Sequence, residues 1–173
     1  MSHHKGRRLM NSATILLPVI ALLLVVFVAA SCSGGSSAGD AKKQRVISFV
    51  KEAAAYAKAN GRKKACEAFN DPLGNFVRGA MYIYAYDMSG VELANGANRE
   101  LVGKNLIDLT DPNGVKVVQE HVDAAKRGGG WMRYTWKNPA TGKNATKLGY
   151  VLPVDGTWLV GSGYYLDSDS GNN

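Results

Sequence analysis

The apolar period of this chain changes once, and that change dictates its fold class. From Ala41 the residues Val46, Phe49/Val50, Ala53/Ala54 and Ala57 recur at i, i+3/i+4, i+7, the spacing of one helix face. Asp40 can cap the start, Asn60-Gly61 can stop the helix, and Arg62–Phe69 reads as a short second one. Beyond residue 80 the period is two. A strand over 81–86 puts Tyr82, Tyr84 and Tyr86 on one face and Ile83 and Ala85 on the other. Met88-Ser89-Gly90 turns it back into a strand over 91–94. Residues 95–109 have little period and read as a loop, and Asp111-Pro112-Asn113-Gly114 as a tight turn. A second amphipathic helix is expected over 115–127, with Val118, Val122 and Ala125 on its stripe. Three strands follow over 131–137, 146–154 and 157–165, the last two joined by the hairpin signal Asp155-Gly156. A long helix, a hairpin, a loop and helix, then a three-strand meander predicts an α+β fold with an antiparallel sheet.

Ahead of this lies a polar, positive stretch over 1–11 and an almost unbroken apolar run over 13–30. Small residues Ala29-Ala30-Ser31 precede Cys32, and a Gly/Ser-rich run follows. This order describes a secretory signal. The cysteine resembles the acylated cysteine of the lipobox of prokaryotic lipoproteins, although Ala29 stands where that pattern prefers Leu. An uncleaved membrane helix is the alternative, because about 18 apolar residues can span a bilayer. The expected layout is a signal peptide or anchor at 1–31, a tether at 32–39, a globular domain at 40–166 and a polar tail at 167–173. On either reading the domain is anchored to the cell envelope by a lipid at Cys32 or by a helix. It then faces the periplasm or the extracellular side.

The formal charge of +7 is partly carried by Lys5, Arg7 and Arg8 of the leading segment. The remaining excess is too weak to argue for a nucleic-acid partner. His3 and His4 lie in the same segment, so only His121 would remain in a mature chain, too few for a histidine-based metal site. Cys66 has no base beside it and reads as a packed core residue. No nucleophile elbow or phosphate loop is present. Aligning Gly114 with the central glycine of a calcium loop puts Leu109 at the first ligand position, which excludes that reading. No cofactor and no enzymatic activity are expected.

What remains is a cluster of aromatic and cationic residues on the strands. By parity Tyr134 and Trp136 share a face, Trp131 and Arg133 point away from it, and Lys147 and Tyr150 are opposed unless a bulge intervenes. One reading is a sheet core with amphipathic edges. The other is a pocket in which phenol hydroxyls, an indole N–H and one buried cation meet a small anion. A buried lysine is costly unless paired, so its natural counter-ion would be a ligand carboxylate.

Residues 100–165 resemble the single Cache domain, type two, an extracytoplasmic PAS-like sensor of bacteria and archaea. The resemblance is carried by Leu101-Val102-Gly103-Lys104-Asn105-Leu106, Asp111-x-x-Gly114 and Gly130-x-x-x-Tyr134-x-Trp136-x-x-Pro139. Lys147-x-x-Tyr150-Val151 and Gly161-x-Gly163-x-Tyr165 complete it, and 50–53, 60–61 and 82–87 fit upstream. It implies a long N-terminal helix on a PAS-like antiparallel sheet, with a loop and helix closing a pocket for a small molecule, often a short carboxylate. Carried over, it makes Tyr84, Tyr134, Trp136, Lys147 and Tyr150 pocket residues, with Arg133 an outside candidate. Many relatives have a His-Pro pair where this chain has Asn95-Gly96, so a pocket histidine is expected to be missing and Asn95 to supply a neutral hydrogen bond.

The polar tail after Tyr165 cannot cross a membrane, so no output module is expected in this chain and a signal would pass through another. Two functions stay open. One is a membrane-tethered sensor module for a two- to four-carbon organic acid. The other is an interaction module with a collapsed pocket that packs on a partner membrane receptor.

Overall fold

The computed structural model describes residues 37–166; the expected signal or anchor, Cys32, most of the expected tether and the polar tail lie outside the described residues. Helix α1 spans Ala38–Phe69. Ser37, not Asp40, caps it: the Ser37 hydroxyl accepts from the Asp40 backbone N–H at 3.2 Å and donates to the Asp40 carboxylate at 2.9 Å. Asp40 thereby places an acid in the first turn, where it favours the positive end of the helix dipole. The expected tether thus gives way to helix at Ala38. Gly61 interrupts the helix with φ 77° and ψ 161°, a conformation costly for any residue with a Cβ. The helix then resumes to Phe69, matching the two helical pieces read from the sequence.

The predicted stripe is the buried one: Val46, Phe49, Val50, Ala53, Ala54 and Ala57 all face the sheet. Each large apolar side chain among them contributes roughly 1.5–3 kcal/mol on burial. The Cys66 thiol packs at the edge of the same core, and burial pushes its pKa up to about 11, as suits a structural cysteine.

Strands β1 (Val77–Arg78) and β2 (Met81–Tyr82) form a small antiparallel ribbon. Then come β3 (Tyr84–Asp87), β4 (Glu92–Asn95), β5 (Gly130–Lys137), β6 (Asn144–Asp155) and β7 (Trp158–Tyr165). These five make one antiparallel sheet in the order β4-β3-β7-β6-β5. The strand expected over 81–86 is split at Ile83, whose N–H bonds Phe76 and whose carbonyl accepts from Gly96. The last strand of the chain, β7, ends up in the middle of the sheet, so nearly all its residues are buried.

Helix α2 spans Val117–Lys126 and covers the sheet face opposite α1. Asp111 ties the loop before α2 to the sheet: its carboxylate accepts from the backbone N–H groups of Asn113, Val115 and Thr135. This is the turn role that the sequence suggested. The outcome is the expected architecture, a long helix packed on a PAS-like antiparallel sheet, with a second helix and a loop over its other face. No helix among the described residues is long and apolar enough to cross a membrane.

Candidate functional site

Strand parity brings six aromatic side chains to the α2 side of the sheet. Tyr82, Tyr84 and Tyr86 come from β2 and β3, Tyr134 and Trp136 from β5, and Tyr165 from β7. Lys147 stands opposite Tyr134 in the β5–β6 register, and opposite Tyr165 in the β6–β7 register. Its side chain is fully buried. The ammonium lies 4.1 Å from the Tyr82 ring centre and 5.2 Å from those of Tyr84 and Tyr165. Those ring faces stabilise the cation, each by about 0.5–2 kcal/mol. Its Nζ nevertheless has no hydrogen-bond partner. Burial pulls the Lys147 pKa down to about 7, against the opposing pull of the Glu92 charge.

Glu92, on β4, is the other charged group in this interior. One carboxylate oxygen accepts from Asn95 at 2.7 Å, while Oε2 is without a partner. Burial pushes its pKa up to about 7, offset in part by hydrogen bonds from Asn95 and Tyr86 and by the Lys147 charge.

A chain of hydrogen bonds crosses the same space. Tyr134 donates to the Tyr84 hydroxyl at 3.5 Å, and Tyr84 meets His121 Nε2 at 2.8 Å. His121 Nδ1 bonds the Val117 carbonyl, which can only accept. The proton therefore resides on Nδ1, and Nε2 accepts from Tyr84. Burial holds the imidazole pKa down at about 4, so it is neutral near pH 7.

These groups surround a small cavity of about 10 Å³, lined by Tyr82, Tyr84, Tyr86, Asn95, Val117, His121, Tyr134, Trp136 and Lys147. That is room for about one water molecule. The expectation of a cavity already sized for a small acid is corrected here, because the aromatic rings fill the interior. A groove of about 640 Å³ lies directly outside it and shares Tyr82 and Trp136 with the cavity. Those two rings are the wall between them.

Of the residues picked from the sequence, Tyr84, Tyr134, Trp136, Lys147 and Asn95 come together around the cavity. Tyr150 and Arg133 do not. The β5–β6 register runs without a bulge from Gly130–Val151 to Lys137–Asn144, so the parity difference from Lys147 stands. Tyr150 packs with Trp131 and Tyr164 on the α1 side, and Arg133 is exposed. Asn95 works mainly as a brace: its side-chain oxygen accepts from the N–H groups of Ala97 and Asn98. The expected lack of a pocket histidine is also corrected, since α2 delivers His121 from the other side. The signal was its place on the α2 stripe between Val118 and Val122. Glu92 was missed because a lone acid on a short strand carries no local pattern.

A search against known families matches residues 19–169 to the single Cache domain 2 profile. The chain belongs to the single Cache domain 2 family. It shares 42% identity over 87 residues with the sensor histidine kinase MctS of Rhizobium johnstonii, covering 50% of this chain and 19% of that protein. With the methyl-accepting chemotaxis protein CtpM of Pseudomonas aeruginosa it shares 35% over 91 residues, 50% of this chain and 16% of that one. The chain thus matches only a small part of these curated relatives. Among solved structures, the periplasmic sensor domain of a chemotaxis protein is similar at a TM-score of 0.65 and 26% identity, covering 76% of this chain and 100% of that one. A Cache chemosensory domain described for carboxylic acid recognition is similar at 0.63 and 25%, covering 73% and 95%. The protein is a Cache sensor domain of the kind found in chemotaxis receptors and histidine kinases.

The glycines of the Cache strands have a physical role in the site. A Cβ at Gly161 would lie 2.5–2.7 Å from the Tyr84 ring and 2.7 Å from Val151. One at Gly149 would lie 2.9 Å from the Tyr134 ring and 3.0 Å from the Tyr84 hydroxyl. The tyrosines therefore rest directly on backbone. Gly161→Ala is expected to destabilise the domain by about 1–3 kcal/mol through overpacking. Urea denaturation checks it, and a change below about 0.5 kcal/mol would mean that the Tyr84 ring has freedom to move aside.

Proposed function

We propose that this Cache domain is a membrane-tethered, extracytoplasmic sensor module for a small organic acid, anchored through Cys32 or an uncleaved apolar helix. The single observation that carries the ligand class is the Lys147 ammonium, fully buried, ringed by three aromatic faces and without a hydrogen-bond partner. A buried cation of this kind costs several kcal/mol until a carboxylate meets it. Tyr134 stands beside it and, by giving up its 3.5 Å bond to Tyr84, becomes a neutral donor for the second carboxylate oxygen. The similarity to a domain described for carboxylic acid recognition supports the same class. Because the small cavity takes only a water, the ligand gains its room by displacing the Trp136 ring toward the outer groove.

A thermal-shift screen of the full chain in detergent against acetate, propionate, butyrate and their hydroxy acids tests this. At least one acid should raise the melting temperature, since a ligand at about 100 times Kd adds roughly 2.7 kcal/mol. A second reading, an interaction module that packs on a partner membrane receptor, is favoured by the small size of the cavity. A copurifying membrane partner, with no thermal response to any acid, would establish that reading in place of the first.

A further inference from the structure

The interior of this domain holds two unpartnered polar atoms of opposite charge, Lys147 Nζ and Glu92 Oε2, and no other buried side-chain atom among the described residues lacks a partner. They are not in ion-pair contact, yet among the described residues each is the only group of opposite formal charge acting on the other. The cation rests on ring faces and the carboxylate on Asn95 and Tyr86. Burial brings both groups to titrate near pH 7, so the pair carries little net charge there and becomes negative above it, as Lys147 loses its proton while Glu92 stays ionised. Everything else facing them is uncharged near pH 7. Tyr82, Tyr86 and Tyr134 face Glu92 from β2, β3 and β5, and burial holds all three phenols well above their usual pKa. His121 faces Lys147 from α2 as a neutral imidazole. Glu92's backbone is bonded to Gly103 and Lys104 of the following loop.

A ligand carboxylate that takes Lys147 as its partner leaves Glu92 ionised in a closed apolar interior with no counter-charge. That net negative charge is relieved in one way the side chains allow. We propose that Glu92 is the proton-accepting partner of ligand binding: an organic acid enters as its anion together with one proton from solvent, which bonds to Glu92 Oε2. No other bond at Glu92 changes, and the bound interior, with Lys147 protonated, is neutral. This rests on the reading of Lys147 as the carboxylate anchor, and gives Glu92 a role in setting affinity that the family resemblance did not supply. It makes the domain report an acid and acidity together. Above about pH 7 the empty site has lost the Lys147 proton and holds Glu92 ionised; both protons must be regained on binding, so affinity falls by up to about a hundredfold for each pH unit. Below that it levels, because Glu92 is already protonated.

The test is calorimetric titration of the full chain in detergent micelles with acetate, in buffers of different ionisation enthalpy. Close to two protons should be taken up per acetate at about pH 8, one each by Lys147 and Glu92, and close to none at about pH 6. Infrared difference spectra at the higher pH should show a new protonated-carboxyl band. That band should shift when the protein's glutamate is carbon-13 labelled and be lost in Glu92→Gln. The labelled unmutated chain carries the result if the variant does not fold. Acetate binding without proton uptake overturns the proposal and leaves the anchor reading standing. Uptake of one proton without a glutamate band also overturns it, since that proton would be on Lys147 alone. Failure of acetate and every other short acid to bind overturns the anchor reading and this inference with it.

Discussion

Lys147→Met is expected to weaken binding of a short carboxylate by about 2–5 kcal/mol, a loss of roughly 30-fold or more in Kd. Methionine keeps the length and apolar stem of the side chain, so the three aromatic faces that now surround the ammonium retain a neighbour of similar shape. What goes is the charge alone. The ligand would then bury its carboxylate against phenol hydroxyls without a cation, and a charge-assisted bond is roughly twice as strong as a neutral one. Isothermal titration of both proteins with acetate and propionate gives the comparison directly. Equal affinities in the two would mean that the acid is held elsewhere, and the aromatic cage would lose its assigned role.

The double replacement Lys147→Met, Glu92→Gln should make the empty domain more stable, by up to about 4 kcal/mol in denaturant unfolding. Two opposite charges share a fully buried interior without touching, so their attraction is too weak to offset what desolvation costs. Removing both removes that cost. Lys147→Met alone should behave differently, because it leaves Glu92 as an uncompensated buried acid. Its carboxyl ionises near 4.5 when unfolded but only near 7 or above when folded. The single variant is therefore most stable below pH 4.5 as far as this group is concerned, and loses stability as pH rises through that window. A double variant no more stable than the parent would indicate that the pair is better solvated than a closed interior of this kind allows. A gain in stability in the double variant is what the proposed anion site predicts, since the unpaired charges would then be kept at a cost to the fold.

How far the site could be read in advance depended on whether each residue's partners were near it in sequence. The α1 stripe from Val46 to Ala57 was legible because one helix face repeats every three or four residues whatever it packs on. Tyr84, Tyr134 and Trp136 were legible because strand parity is local. Tyr150 was misplaced because the resemblance overruled parity, and the unbroken β5–β6 register restores it to the α1 side. His121 lies on a helix packed over the sheet, and Glu92 on an edge strand far in sequence from Lys147, so neither partnership shows in a short stretch of chain. Glu92 lies on the edge strand β4, whereas Lys147 lies two strands beyond its neighbour β3, across β7.

By itself, the sequence determined the α+β class, the order of the elements, which residues of each strand share a face and that Lys147 is a cation among aromatic rings. Periodicity and composition encode these, since each depends on a handful of consecutive residues. Only the tertiary structure decided that Glu92 and Lys147 oppose one another, that α2 supplies a histidine and that the rings close the cavity to about the volume of one water. Those outcomes are set by how side chains from six separate segments fill a shared interior at near-crystalline density. No short stretch of chain carries that information.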